Sequence, residues 1–323
     1  MINVPDDLLK FINTGDKFLV AGHKEPDGDC VGSQIVLCSL LKRMGKEAMP
    51  CSAGPFKRKE IKSFESSFCS APDEKTRKGA KVIIVDCSSL ERTGDLAPLL
   101  EKLPTALIDH HDPDKNAPNT LDVSYVDPNS PSVTNMIFHL FEALGMKPTR
   151  EEAELLLFGL CTDTGFFRHT DSSSPETFET AAALIHAGAS PKKAYLSMYG
   201  GKSLESRYLL GIILSRAESY FGGKLIISTE EYEDTQRYGL EGRDSEVLYQ
   251  LLQSIAGVIA IVIIRQEKPD NCTVGFRSVD QVDVAAIAQS MGGGGHKYAA
   301  GLSINGTIPE IKEKILAAFK KIF

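Results

Sequence analysis

Short apolar runs and longer amphipathic ones alternate along the first half of the chain. KFLVAG (17–22) holds the continuous run Phe18-Leu19-Val20-Ala21, which predicts a strand buried on both faces. VGSQIVLCSLLKRMG (31–45) spaces its apolar residues three and four apart and ends in Gly45, which predicts a helix with a glycine stop. KVIIVD (81–86) and TALID (105–109) repeat the strand pattern. TNMIFHLFEALG (134–145) and EEAELLLFGLCTD (151–163) repeat the helical one. Strands separated by helices predict an α/β unit, a parallel sheet with helices on both faces.

The texture changes from about Ser190. The stretch 190–223 reads as mostly helical, with Gly200-Gly201 as a joint. KLIISTEEY, GVIAIVIIRQE and NCTVGFRS then read as strands of a second, smaller α/β unit. DVAAIAQSM reads as a helix, GGGGHKYAAG (292–301) as a glycine loop, and IPEIKEKILAAFKKIF as a closing amphipathic helix. The expected division is a catalytic unit over 1–188, a helical linker over 189–220 and a second unit over 221–323, with the boundary near 188–205.

Composition narrows the classes. At 323 residues the chain can bury two cores. The formal net charge of -7 argues against a broad basic surface that neutralises many phosphates, though not against a local pocket for a small phosphorylated ligand. No run approaches the roughly 20 apolar residues of a membrane span, and the first residues lack the order of a signal peptide, so a cytoplasmic protein is expected. Seven scattered cysteines without CxxC spacing read as reduced, mostly buried thiols.

Chemistry gathers where the strand runs stop. His23, Asp27 and Asp29 follow the first run; Asp86 closes the second; Asp109-His110-His111 closes the third. In a parallel α/β sheet the ligand crevice lies beyond the carboxyl ends of the strands, so these groups are expected at one edge. Asp163 in CTDTGFFRH adds a fourth segment. Each has an ordinary explanation alone: a helix cap for Asp29, a turn for Asp86, a loop for Asp163. Together, carboxylates at one edge repel each other unless something compensates them. Carboxylate oxygen and imidazole nitrogen suit Mn²⁺, and also take Mg²⁺, Co²⁺ or Zn²⁺. The number of donors suggests two ions, and two ions about 3.5–4 Å apart activate water for in-line attack on phosphorus.

HKEPDGDCVGS (23–33), VDC (85–87), DHH (109–111) and TDTGFF (162–167) resemble, in order and spacing, the motifs of the DHH phosphoesterases. GGGGHKYAAG resembles the signature of the DHH-associated C-terminal domain of one branch. Within that branch the chain is similar to the bacterial nanoRNases that also act as pAp phosphatases, and shorter than RecJ-type single-strand exonucleases. The resemblance implies that His23, Asp27 and Asp86 hold one metal. Asp29, Asp86, His110 and Asp163 hold the other, with Asp86 bridging. His111 would face the reacting phosphate, and Asp109 would orient a neighbouring histidine. Cys30, where relatives often carry another small residue, is expected to matter little beyond oxidation. The resemblance also implies two divalent ions with Mn²⁺ preferred, and a homodimer.

Gly292 to Gly295 allow close backbone approach to an anion, and Arg265 and Arg277 suit bidentate phosphate contact. With the resemblance, Arg265, Arg277, Ser278, Gly294, Gly295 and His296 are expected to bind the distal phosphate or base. Phe166 and Phe167 read as core or cleft wall, Ser132 and Thr134 as helix-capping or crevice residues, and His139 and His186 as structural. The leading expectation is hydrolysis of short single-stranded RNA or dinucleotides to mononucleotides, and removal of the 3′-phosphate from 3′-phosphoadenosine 5′-phosphate (pAp). The alternatives are a linear or cyclic dinucleotide phosphodiesterase, a manganese inorganic pyrophosphatase, which the glycine stretch disfavours, and a non-catalytic nucleotide-binding module.

Overall fold

The computed structural model describes residues 4–111, 121–170, 175–279 and 282–323. The chain divides into two compact units, Met1–Gly201 and Lys202–Phe323.

In chain order the first unit contains α1 (Asp6–Thr14), β1 (Lys17–Ala21), α2 (Gly28–Arg43), β2 (Glu47–Cys51), α3 (Glu74–Arg77), β3 (Lys81–Val85) and α4 (Ala97–Leu100). It continues with β4 (Thr105–Asp109), β5 (Val123–Val126), α5 (Val133–Ala143), α6 (Arg150–Asp163), α7 (Pro175–His186) and α8 (Pro191–Tyr199). The strands form one sheet in the order β2-β1-β3-β4-β5, every pair parallel. Strand alternation sorts the core. Phe18, Val20, Ile83, Val85 and Ile108 join the residues of α1, α2, α5 and α6 on one face. Leu19, Ala21, Val82, Ile84 and Leu107 pack with Leu96 and Leu100 on the other. Burial on both faces explains why these strands read as continuous apolar runs; each buried aliphatic side chain contributes about 1.5–3 kcal/mol.

The chain leaves β1 for β2 on one side and returns to β3 on the other. That reversal puts a topological switch point between β1 and β3, where a crevice opens beyond the carboxyl ends of the strands. Ala21 and Ile84 are register partners, so His23 and Asp86, two residues beyond each, leave adjacent strands at the same edge.

The second unit contains α9 (Leu204–Ser215), β6 (Glu218–Tyr220), β7 (Leu225–Glu230), α10 (Tyr232–Tyr238), α11 (Ser245–Gln253), β8 (Ala260–Lys268) and β9 (Asn271–Ser278). α12 (Val284–Ser290), β10 (Gly294–His296), β11 (Ala299–Asn305) and α13 (Ile308–Phe319) complete it. Its sheet is mixed, in the order β10-β11-β9-β8-β7-β6, with β7 and β8 parallel and the remaining pairs antiparallel. α12 and α13 cover one face, and α9 and α11 the other.

Two readings need correction. The stretch 292–301 is not a loop: Gly294–His296 pairs antiparallel with Ala299–Gly301 across a Lys297-Tyr298 turn. β2, β5 and β6 are strands that apolar periodicity did not reveal. The helical stretch 189–220 is shared: α8 buries Ala194 in the first core, and α9 buries Leu209 and Ile213 in the second.

Candidate active site

At the switch point three strand ends deliver the side chains read from the sequence. His23 directs Nε2 to within 3.5 Å of Asp86 Oδ2 and 3.9 Å of Asp27 Oδ1, while its Nδ1 meets the Lys24 carbonyl at 2.9 Å. The carbonyl accepts, so Nδ1 carries a proton and Nε2 is the nitrogen turned to the crevice carboxylates. Asp86 is buried and holds a left-handed backbone, φ 57°, which turns its carboxylate inward straight off β3. His110 places Nε2 3.6 Å from Asp86 Oδ1 and 3.1 Å from Asp163 Oδ2, with Nδ1 on the Ser130 carbonyl at 3.2 Å. One oxygen of buried Asp109 accepts both the His110 backbone N–H at 2.9 Å and His111 Nδ1 at 2.8 Å. The half-exposed His111 ring therefore keeps its Nε2 outward.

Asp29 arrives by a different route. Asp27, not Asp29, caps α2, accepting from the Cys30 N–H at 3.1 Å. Asp29 instead points at the first turn of α5. Its Oδ2 accepts from Val133 N at 2.6 Å, and its Oδ1 accepts from Thr134 N at 2.9 Å and Thr134 Oγ1 at 2.6 Å. Ser132 caps the same helix through Asn135 N and meets Thr134 Oγ1 at 2.9 Å, so the two crevice candidates of the SPSVTN stretch both serve this clamp. Asp163 closes α6, which packs tightly on α2 and α5 because the contact points are glycines. A Cβ on Gly28 would lie 2.5 Å from Thr162 Cγ2, and one on Gly159 would lie 2.4 Å from Thr134 Cγ2 and 3.1 Å from Asp29 Oδ1.

Three sets of donor atoms lie within 4.8 Å of one another: His23, Cys30 and Asp86; Asp86, His110 and His111; Asp29, His110 and Asp163. Asp86 and His110 each belong to two sets. Cys30, given no part by the sequence reading, joins the first through a thiol that burial pushes up to about 12. Among the described residues no lysine or arginine pairs with Asp29, Asp86, Asp109 or Asp163; Arg58 Nη2 stands 3.9 Å from Asp27. The electrostatics record this crowding. Burial, then Asp163 and Asp86, raise Asp29 well above the carboxylate range. Burial raises Asp86 to about 6, against the pull of His23. Burial alone would depress His110, but Asp163 lifts it to about 10. His23 is likewise depressed by burial and carried far above its usual range by Asp27 and Asp86, while Asp27 falls to about 2 against its own burial because of His23. Asp109 raises His111. Oxygen and nitrogen donors crowded together, their negative charge answered by imidazoles alone rather than by lysine or arginine, fit divalent cations.

In the second unit the six sequence candidates separate. By register Arg277, Ala299 and His296 sit side by side on β9, β11 and β10, on the sheet face away from α12 and α13. Two residues along, Gly275, Gly301 and Gly294 form a parallel row on that face, and nothing lies within 4 Å of a Cβ placed on Gly294. The Tyr249 phenol covers Gly275, so open backbone remains toward Gly294, bordered by Arg277 and His296, with Gly295 beside it. Arg265 and Ser278 are turned inward instead. Ser278 Oγ donates to the Val282 carbonyl at 2.6 Å. Arg265 is buried, 3.3 Å from Glu230 Oε2 and donating to Ser245 Oγ at 3.0 Å. Glu230, its register partner on β7, is not legible as that partner in the sequence, because the two meet across the parallel sheet from strands far apart in the chain.

The chain matches the DHH family, N-terminal domain, over residues 17–160, and the DHHA1 domain over residues 210–323. It is 32% identical to the bifunctional oligoribonuclease and PAP phosphatase NrnA of Thermus thermophilus, over 94% of this chain and 89% of that protein. It is 28% identical to the protein of the same name from Bacillus subtilis, over 92% of each. The cyclic-di-AMP phosphodiesterase GdpP of Geobacillus thermodenitrificans is 24% identical over 98% of this chain but only 49% of its own length. An exopolyphosphatase-related protein of Bacteroides fragilis has the same fold, with a TM-score of 0.81 at 22% identity over 98% of this chain and 95% of that one. Among the described residues no helix is long and apolar enough to cross a membrane. With its histidines and aspartates gathered at the switch point of a parallel sheet and a DHHA1 domain following in the sequence, the chain belongs to the DHH family of divalent-metal-dependent phosphoesterases.

Proposed function

We propose that the protein hydrolyses short oligoribonucleotides to mononucleotides and removes the 3′-phosphate of pAp, using two divalent cations with Mn²⁺ preferred. The observation that carries this reading is the meeting of His23, Asp29, Asp86, His110 and Asp163 through the shared Asp86 and His110. Its substrates are those named for the relatives that match along nearly the whole chain. His23, Asp27 and Asp86 hold one ion; Asp29, Asp86, His110 and Asp163 hold the other. Bound there, the cations supply Lewis-acid activation of water and neutralise charge on the phosphate.

The protein's own groups do the rest. Asp109 locks the His111 ring by its Nδ1 and raises its affinity for a proton. His111 Nε2 is thereby set to hydrogen-bond a phosphate oxygen and to hand a proton to the departing oxygen. Arg277, His296 and the backbone of Gly294 and Gly295 are the second unit's contacts for a phosphate or base, and a flat base can lie against the bare backbone at Gly294. Arg265 and Ser278 hold that frame rather than the ligand.

The test is Mn²⁺-dependent release of nucleoside monophosphates from a dinucleotide, run beside pAp, a cyclic dinucleotide, pyrophosphate and oligomers up to about 24 nucleotides, a length chosen to exceed usual single-strand site sizes. Dinucleotide and pAp are expected to turn over fastest. Preference for the cyclic dinucleotide or pyrophosphate, or full activity in Asp86→Ala or His110→Ala, overturns the reading.

A further inference from the structure

We propose that Tyr249 is a positioning residue that holds the Arg277 guanidinium for anion contact, and that Glu230 and Arg265 exist to hold Tyr249. This deepens the proposed function and rests on its assignment of Arg277 to the substrate. Arg277 Cζ lies 4.6 Å from the centroid of the Tyr249 ring, and Arg277 Nη1 donates to its own strand at the Phe276 carbonyl, 2.8 Å away. Among the described residues no carboxylate pairs with Arg277. Its guanidinium is therefore aimed by an aromatic face and a backbone oxygen, which leaves its charge free for an incoming anion.

The tyrosine is itself fixed with unusual closeness. It is buried on α11, and its hydroxyl has no hydrogen-bond partner among the described residues. The phenol lies over Gly275: a Cβ there would meet the Tyr249 hydroxyl at 2.1 Å, with Arg265 Nη1 3.7 Å away. The strand gives up a side chain at this position so that the ring can reach across to Arg277. Arg265 donates to Ser245, one helical turn before Tyr249 on α11, and so braces the helix that carries the ring. Buried Glu230 in turn engages Arg265, at 3.3 Å, and Arg243, whose Nη2 stands 2.8 Å away. A continuous set of contacts thus runs from Glu230 through Arg265 and α11 to Tyr249 and Arg277. None of Glu230, Arg265 and Tyr249 has to touch substrate for the set to serve binding.

The experiment is steady-state kinetics with pAp and with a dinucleotide, in saturating Mn²⁺, on Arg277→Ala, Arg277→Lys, Tyr249→Leu, Tyr249→Phe and the Tyr249→Leu/Arg277→Ala pair. Tyr249→Leu is expected to raise KM about five-fold with kcat little changed, the scale of one lost cation–π contact. Tyr249→Phe keeps the ring and is expected to restore KM. In the double variant the Tyr249 loss is expected to disappear into that of Arg277→Ala, because the ring acts only through the guanidinium. If Arg277→Ala leaves KM unchanged, the assignment of Arg277 to substrate is wrong. If Arg277→Ala raises KM but Tyr249→Leu does not, or the two losses add, the positioning role is wrong. Should Tyr249→Leu fail to fold, Arg277→Lys decides the matter. It keeps the charge and loses the planar stack, so a wild-type KM in that variant overturns the proposal.

Discussion

Two clusters of buried carboxylates, one in each unit, handle their charge in opposite ways. In the second, Glu230 and Glu267 meet Arg243 and Arg265, each carboxylate with a guanidinium at hand, and Thr235 Oγ1 donates to Glu230 at 3.0 Å. In the first, Asp29, Asp86, Asp109 and Asp163 crowd three imidazoles with no guanidinium or ammonium paired to them among the described residues. The closed network answers its own charge and serves as framework. The open one is left in deficit, and that deficit is what a divalent cation fills. Whether a buried carboxylate is framework or site is thus read from its partners, not from its burial.

The largest effect that tests this contrast is Asp86→Asn. Asparagine tolerates the left-handed backbone, so the fold is expected to survive while Mn²⁺-dependent turnover falls about a thousand-fold, ~4 kcal/mol of barrier. Turnover within ten-fold of wild type would mean that the shared carboxylate is not central. Next comes Glu230→Ala, which strands two guanidiniums; urea unfolding is expected to show a loss of about 3–5 kcal/mol. A loss below 1 kcal/mol would mean that the second network is slack and the contrast false. Gly159→Ala pushes a methyl into Thr134 beside Asp29, and is expected to cost about 1–3 kcal/mol with a parallel fall in activity. Wild-type stability and activity together would show that α5 and α6 have room to spare.

The smallest effect sharpens the comparison through pH. His110, raised to about 10, and His23, raised further, hold protons at neutral pH that a cation must displace. Metal affinity measured calorimetrically is expected to rise with pH, about ten-fold per unit for each proton released. In the second unit burial would raise Glu267, but Arg243 holds it below its usual range. Its contribution is present above the ordinary carboxylate range and lost only as pH falls through the lowered value, so stability there is expected to be flat across neutral pH. Metal affinity independent of pH would sink the account of the first network.

Most of the first unit was legible because its strands are buried on both faces and end in chemistry. KVIIVD and TALID state both facts within six residues. β2 was hidden because EAMPC is an edge strand, where Pro50 is tolerated and Glu47 and Met49 face out. The glycine stretch was hidden because glycine has no strand propensity, and only its pairing with Ala299–Gly301 makes it one. His23, Asp86 and His110 could be named from local sequence. The Asp29 clamp could not, since Val133 and Thr134 stand over a hundred residues away. The pairing of Arg265 is equally hidden, because a strand-end arginine looks free until its neighbour across the sheet, Glu230, is known.

The clamp on Asp29 has a consequence of its own. A carboxylate offers about four acceptor directions, and three here are already taken by Val133 and Thr134. Only one, on Oδ2, remains for a newcomer. The group has therefore surrendered its rotational entropy during folding, so under the proposed ligand set this carboxylate would be pre-positioned before any ion arrives.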